Sequence, residues 1–177
     1  MLAGNDTLSM SRNPYDWLGD GIYLFEDDWR HAVYFAQRAR DNPARAYTRR
    51  PIRQHAVIGV ALRIRLWLDM CTQEGIHEYV DAHTDLQNSG TSLRVNRRSQ
   101  DDDPDLILRP MDRQIINHIH ALRRSRGQPS YDAVRSHFVQ GSPLLETAGF
   151  KRDTHVQLAL RNQDCVLGYF MVREAEF

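Results

Sequence analysis

The stretch Leu18-Gly19-Asp20-Gly21-Ile22-Tyr23-Leu24 constrains this chain more than any other. Two glycines one residue apart indicate a backbone that turns sharply or lies close to other atoms, because neither carries a side chain. The apolar run after Gly21 is typical of a short strand, and Asp27 or Asp28 can cap the helix that follows. A strand that carries Tyr23 and leads directly into a capped helix predicts a floor on which a flat ligand could lie.

The composition is that of an ordinary globular protein, with 41% hydrophobic and 26% charged residues. A length of 177 residues suits one domain with a substantial core. We therefore predict a single domain over 1–177, with a mobile loop at about 88–105, where Gly, Ser, Asn and Asp concentrate. Basic and acidic residues both number 23, so the zero net charge argues against general electrostatic binding of nucleic acid.

Cys71 and Cys165 are the only cysteines, and no apolar run is long enough to span a membrane. This pattern predicts a protein of the reducing cytoplasm without a membrane partner, in which both thiols are small buried hydrophobes. The eight histidines are scattered, and none forms a pair at helical ligand spacing. We predict no metal site.

Periodicity and end signals predict three helices and a group of strands. The helices are expected over 27–40, after Thr72 and after Pro110, and an arginine-rich loop is expected at 45–53. The apolar run at 56–62 predicts a strand buried on both faces, and the alternation at 63–68 predicts that it continues to an edge with one wet face. Further strands are expected at 131–139, 155–160 and 165–172. Helices early and strands late favour an α+β domain with a mixed or antiparallel sheet.

The glycine motif and the C-terminal strands resemble one known family. Gly19-Asp20-Gly21-Ile22-Tyr23 is similar to the second signature motif of the ADP-ribosyltransferase superfamily, in its poly-ADP-ribose-polymerase-like, diphtheria-toxin-like branch. Segments 13–36 and 131–170 resemble bacterial members, including Asn13-Pro14-Tyr15-Asp16-Trp17, Phe138-Val139-Gln140-Gly141 and Thr154-His155-Val156-Gln157. The resemblance implies an α+β, ADP-ribosyltransferase-like mixed/antiparallel sheet with flanking helices, and NAD+ as substrate.

The resemblance also implies roles for the residues of the first motif. In the family, the tyrosine strand lies beneath the nicotinamide ring of NAD+. Tyr23 would therefore be a catalytic and cofactor-binding residue, Gly19 and Gly21 would shape the NAD+ site, and Tyr34 would stack on the nicotinamide. The alternative is that both tyrosines are core aromatics and both glycines only shape a turn.

The residues of the later strands have implied roles as well. Gln157 stands where the catalytic glutamate of the family usually lies, and His155 shares its strand face by the period of two. The two are predicted to be the polar groups near the ribose. Arg135 is a candidate for binding the NAD+ phosphates if its strand face lines the cleft, and an exposed sheet face is the alternative.

The chain departs from the family pattern twice. The family's first motif is a histidine on a strand, and no histidine precedes Tyr23, so we expect a domain lacking the first strand. Either the gene is read from a start further upstream, or the protein has lost the histidine strand with which the family holds NAD+. Gln157 can hydrogen-bond a ribose hydroxyl but supplies no negative charge, and Gln140 or Glu146 are the alternatives for serving the ribose.

Two functions remain open from the sequence. The first is an NAD+-dependent ADP-ribosyltransferase, a bacterial toxin or effector with a protein or nucleic-acid target and an antitoxin-like partner. The second is a degenerate, catalytically silent ADP-ribosyltransferase fold that binds a nucleotide or a partner. A small α+β protein of unrelated function is a third interpretation.

Overall fold

The computed structural model of the protein describes residues 8–43, 52–99, 103 and 105–172. Its internal contacts divide the chain into two compact units. The first unit joins the residues up to Leu24 with Ile64–Gln163, and the second joins Phe25–Arg63 with the residues from Asp164 onward. Most of the predicted loop at 45–53, and residues 100–102 and 104 of the loop at 88–105, lie outside the described residues.

The secondary structure is α+β, as the sequence predicts. In chain order, the described elements are β1 (Ile22–Phe25), α1 (Trp29–Asp41), β2 (Ile58–Leu62), β3 (Trp67–Asp69), α2 (Gln73–Asn88), α3 (Pro110–Ser125), β4 (Ala133–Phe138), β5 (His155–Leu160) and β6 (Val166–Met171). A short 3₁₀ helix, Gln163–Cys165, precedes β6. None of the helices in the described part of the chain is long and apolar enough to cross a membrane.

Local signals set the helix ends. The side chain of Asp28 accepts a hydrogen bond of 2.9 Å from a backbone N–H in the first turn of α1. Thr72 caps α2 in the same way at 3.2 Å, and each such cap contributes about 0.5–2 kcal/mol. Pro110 occupies the first turn of α3, where its missing N–H costs nothing, and Gly127 follows the helix with φ +65°. The three predicted helices are confirmed. They were predictable because the residues that set each helix end act within one turn of it.

The first unit contains a mixed four-stranded sheet with the strand order β1-β5-β4-β3. Strands β4 and β5 are antiparallel, with Phe138 opposite His155 and Ser136 opposite Gln157, whereas β3 is parallel to β4. Directly opposed residues share a sheet face and neighbours along a strand alternate. His155, Gln157 and Phe138 therefore lie on one face, and Arg135 lies on the other.

Helices α2 and α3 pack over the face that carries Val134 and Ala159. Ile115, Ile116 and Ile119 of α3 are almost fully buried there, and burial of each contributes about 1.5–3 kcal/mol. The core cluster comprises Trp17, Leu18, Leu68, Ala82, Leu86, Ile115, Ile116, Ile119, Tyr131, Val134, Phe138 and Ala159. The residues just before β1 are thus part of the core.

The second unit consists of α1 and the antiparallel pair β2–β6. The prediction of one strand, buried on both faces at 56–62 and continuing over 63–68 with one wet face, is wrong. β2 ends at Leu62, β3 begins at Trp67 as part of the first unit, and β2 is half-buried with Ala61 exposed. A short apolar run does not reveal how many neighbours a strand has, since half-buried and buried strands share the same residue types.

The two cysteines lie in different environments. Cys165 is buried, as predicted, but Cys71 is exposed, so the prediction of a buried Cys71 is wrong. Cys71 lies in the turn between β3 and α2 rather than on the apolar face of an element. A small apolar residue in such a turn has no packed layer to bury it.

Candidate functional site

The glycines of the first motif are explained by close packing. Gly19 has φ +79°, and a Cβ at this position would lie 2.8 Å from Oδ1 of Asn117 and 2.9 Å from Ile116. A Cβ on Gly21 would lie 2.9 Å from the Cβ of Ala159 in β5. Both positions thus require glycine for the approach of the backbone to α3 and β5.

A polar network holds the turn between these glycines on α3. Arg113 Nη2 lies 2.6 Å from Asp20 Oδ1, which also accepts a 3.0 Å hydrogen bond from Asn117 Nδ2. Oδ1 of Asn117 accepts a hydrogen bond from the Asp20 backbone N–H, and Arg161 donates a hydrogen bond of 2.5 Å to the Asp20 carbonyl. Burial lowers the pKa of Arg161. The turn therefore has a fixed geometry, set by side chains from two distant parts of the chain.

Tyr23 has a half-buried ring and a fully engaged hydroxyl. The hydroxyl accepts from the Leu18 backbone N–H at 2.9 Å and donates to the Gly19 carbonyl at 3.0 Å. Burial raises the pKa of Tyr23, and the neighbouring charge of Asp16 acts in the same direction. Tyr23 is therefore a neutral side chain at physiological pH, suited to packing or stacking rather than to proton transfer.

Gln157 faces the same segment of the chain from β5. Its Oε1 accepts a 2.7 Å hydrogen bond from the indole Nε1 of Trp17. Its Nε2 makes no hydrogen bond to the described residues, so this N–H₂ group is available to a ligand oxygen. Adjacent residues, Trp17 and Leu18, thus connect the two side chains that the sequence singles out as catalytic.

Aromatic rings border Gln157. Phe138 lies 4.9 Å from Trp17, centroid to centroid, and 5.4 Å from the ring of His155. His155 is buried and its Nδ1 donates to the carbonyl of Asp153 at 2.7 Å. The sequence expectation that His155 and Gln157 share a face is confirmed.

Arg109, which sequence reasoning missed, adds a cation to this group of rings. Its guanidinium lies 4.4 Å from the centroid of Phe138 and 5.0 Å from that of Trp17, and its Nε donates to the Leu106 carbonyl at 2.8 Å. Burial lowers the pKa of Arg109, but an arginine remains charged at neutral pH. We name Trp17, Arg109, Phe138, His155 and Gln157 the Gln157 cluster.

Asp16 is the second residue that sequence reasoning missed. It is buried, and its Oδ2 accepts from Ser11 Oγ at 2.7 Å and from the Asn13 N–H at 2.6 Å. Burial raises the pKa of Asp16. Its carboxylate closes the loop that leads to Trp17. The turn residues Asn-Pro-Tyr-Asp are the sequence signal from which this role of Asp16 could have been predicted.

Two further predicted cofactor-binding residues, Arg135 and Tyr34, have other described partners. Arg135 lies on the opposite face of the sheet, where its Nη1 is 3.1 Å from Asp69 Oδ2. Its charge is compensated by that carboxylate. Tyr34 belongs to the second unit, where it lies 44% exposed on α1 with the guanidinium of Arg38 5.3 Å from its ring.

The two alternative ribose-binding residues occupy the region that follows β4. Gln140 is half-buried, and its carbonyl accepts a hydrogen bond from the backbone of Asp153. Glu146 is exposed in the loop before β5. In the part of the chain that the structure describes, no group of three or more His, Cys, Asp or Glu side chains is arranged to hold a metal ion.

The Gln157 cluster offers an amide donor, a cation and two aromatic rings beside a rigid glycine turn. These groups suit a flat or hydroxyl-bearing ligand, and the cluster itself contains no carboxylate. No protein-family model, no curated protein and no solved structure matches the chain. The resemblance to ADP-ribosyltransferases therefore depends on the quoted motifs alone.

Proposed function

We propose that the protein transfers ADP-ribose from NAD+ to a macromolecular target. One observation carries the proposal: the hydrogen bonds from Trp17 to Gln157 and from Leu18 to Tyr23 tie both candidate catalytic side chains to adjacent residues. The glycine turn beside them is held rigid by Asp20. A reaction that depends on precise placement of a ribose benefits from such a preorganised frame.

The chemistry sets what each group would do. Cleavage of the nicotinamide–ribose bond gives the sugar positive, oxocarbenium-like character. Nε2 of Gln157 would donate to a ribose hydroxyl and fix the sugar, while the ring of Tyr23 would support the nicotinamide. Because an amide supplies no negative charge to stabilise the developing cation, we expect slow turnover.

The proposed setting follows the bacterial resemblance. The protein would act in the cytoplasm as a toxin or effector, on a protein or nucleic-acid target, with an antitoxin-like partner controlling it. The zero net charge favours a target recognised by shape and specific contacts rather than by bulk charge.

A catalytically silent module that binds a nucleotide or a partner is the second candidate. The amide of Gln157 favours it, because the side chain at the catalytic position cannot stabilise the oxocarbenium-like sugar by charge. The engaged hydroxyl of Tyr23 offers no substitute. In this case NAD+ or a related nucleotide binds but is not cleaved.

The test uses NAD+ and one isosteric substitution. Nicotinamide release is measured by mass spectrometry, and NAD+ binding by titration calorimetry, for the parent protein and for Gln157→Glu, Gln87→Glu and Tyr23→Ala. The carboxylate of Gln157→Glu can still accept from Trp17 and adds the missing charge. Gln87→Glu makes the same change at an exposed position of α2 and is the matched control.

We expect Gln157→Glu to raise nicotinamide release by about tenfold or more, since one preorganised electrostatic contact is worth about that much or more. Gln87→Glu should behave like the parent, and Tyr23→Ala should lose both binding and release while remaining folded by circular dichroism. Binding without release in the parent and in both glutamate variants, with binding lost in Tyr23→Ala, would establish the silent module. Neither binding nor release in any of them would refute both the transferase and the nucleotide-binding module.

A further inference from the structure

A second cluster lies where the parallel strands β3 and β4 end and α2 begins, away from the face that carries Gln157. The Sγ of Cys71 lies 3.0 Å from Nδ1 of His137, and both residues are exposed. Sulfur and imidazole nitrogen in hydrogen-bonding contact form the arrangement in which an imidazole takes the proton of a nucleophilic thiol. Small molecules reach this pair without any movement of the core.

The surroundings of the pair are ordered. The Cys71 backbone N–H donates to Asp69 Oδ1 at 2.9 Å, and the other oxygen of Asp69 pairs with Arg135 at 3.1 Å. Thr72, the next residue, is fixed as the cap of α2. The turn therefore holds Cys71 against β4 by contacts on both sides of the sulfur-bearing residue.

The electrostatics define the resting form of the thiol. Partial desolvation raises the pKa of Cys71 and the Asp69 carboxylate acts in the same direction, although a hydrogen bond from the backbone of His137 opposes them. Cys71 thus rests as a thiol that needs a base in order to react. Nδ1 of His137 is the base in contact with it, and a thiolate formed from such a thiol is a strong nucleophile.

We propose that Cys71 and His137 form a reactive thiol–imidazole pair, a site of reversible S-thiolation by low-molecular-weight disulfides. His137 Nδ1 takes the proton of the Cys71 thiol as Sγ attacks one sulfur of the disulfide. The S–S bond of the disulfide breaks as a new bond forms to Sγ. The departing thiolate receives the proton from the imidazolium and leaves as a free thiol, so the exchange is balanced without a further oxidant. This site is independent of NAD+ chemistry.

The rate of thiol–disulfide exchange tests the proposal. Release of thionitrobenzoate from dithiobis(nitrobenzoate) is followed on the full chain carrying Cys165→Ala, so that Cys71 is the only thiol. His137→Asn is compared with His83→Asn, which makes the same change on α2. General-base assistance is worth about tenfold or more, so we expect His137→Asn to slow the reaction by at least that factor and His83→Asn to leave it unchanged.

The pH profile separates base assistance from a structural effect. Without the base, the rate should rise about tenfold per pH unit below the thiol pKa, as for a free thiol, while the parent is faster and less steep. Should His137→Asn fail to fold, His137→Gln replaces it, because an amide of either length removes the base from Cys71. Equal rates in the folded His137 variant and the parent would overturn the proposal.

Discussion

His120 provides a stability prediction that can be worked out from its environment. It lies in α3, 1% exposed, with its ring 6.0 Å from that of Tyr131. Its Nε2 has no hydrogen-bond partner among the described residues. Burial, together with the charges of Arg161, Arg124 and Arg123, lowers the pKa of His120 to about 3. The folded protein therefore holds this imidazole neutral.

The sign and size of the pH effect follow from linkage. In the unfolded chain a histidine titrates near pH 6.5, so between that value and about pH 3 the unfolded state binds the extra proton. The contribution is fully present above pH 6.5 and is lost as the pH falls, by about 1.4 kcal/mol per unit. Between pH 7 and pH 5, the free energy of unfolding should fall by about 2 kcal/mol on account of His120 alone.

Urea unfolding at pH 7, 6 and 5, followed by tryptophan fluorescence, measures the free energy of unfolding of the parent and of the variant His120→Leu. Leucine has a similar volume, cannot be protonated and leaves no unpaired nitrogen in the core. Carboxylates titrate alike in both proteins, so the difference between the two pH profiles isolates His120. Parallel profiles for parent and variant would refute the reasoning.

Two further substitutions test packing and capping. Gly21→Ala should lower the free energy of unfolding by about 1–3 kcal/mol, because its Cβ would lie 2.9 Å from Ala159, and a urea midpoint equal to that of the parent would contradict this contact. Thr72→Ala should lower it by about 0.5–2 kcal/mol through loss of the α2 cap, whereas Thr84→Ala, at an exposed position within the same helix, should cost less. Equal effects of the two substitutions in urea unfolding would mean that the cap adds no stability of its own.

The sequence was most informative where the decisive contacts are local. Asp28, Thr72 and Pro110 each act within the first turn of a helix, so residue type and position were enough to predict all three helices. The shared face of His155 and Gln157 followed from alternation along a single strand. Such features need no knowledge of distant partners.

The sequence was least informative where distant segments meet. The register of β4 on β5 places Arg135 on the face opposite Gln157, which alternation within β4 alone could not reveal. Arg109 reaches Trp17 and Phe138 from a third part of the chain, and Cys71 meets His137 across 66 positions. These contacts depend on how distant segments pack together, and no short-range pattern encodes that packing.

The hydrogen bond between Trp17 and Gln157 joins residues 140 positions apart, and β5 is the only strand of the four-stranded sheet that borders β1. During synthesis, α2 and α3 leave the ribosome long before β5 and can pack on each other first. The pairing of β1 with β5 has to wait, since closing so large a loop is slow and entropically costly. Nascent chains that stall before β5 would therefore present β1 without its partner strand and Trp17 without Gln157 to chaperones and proteases.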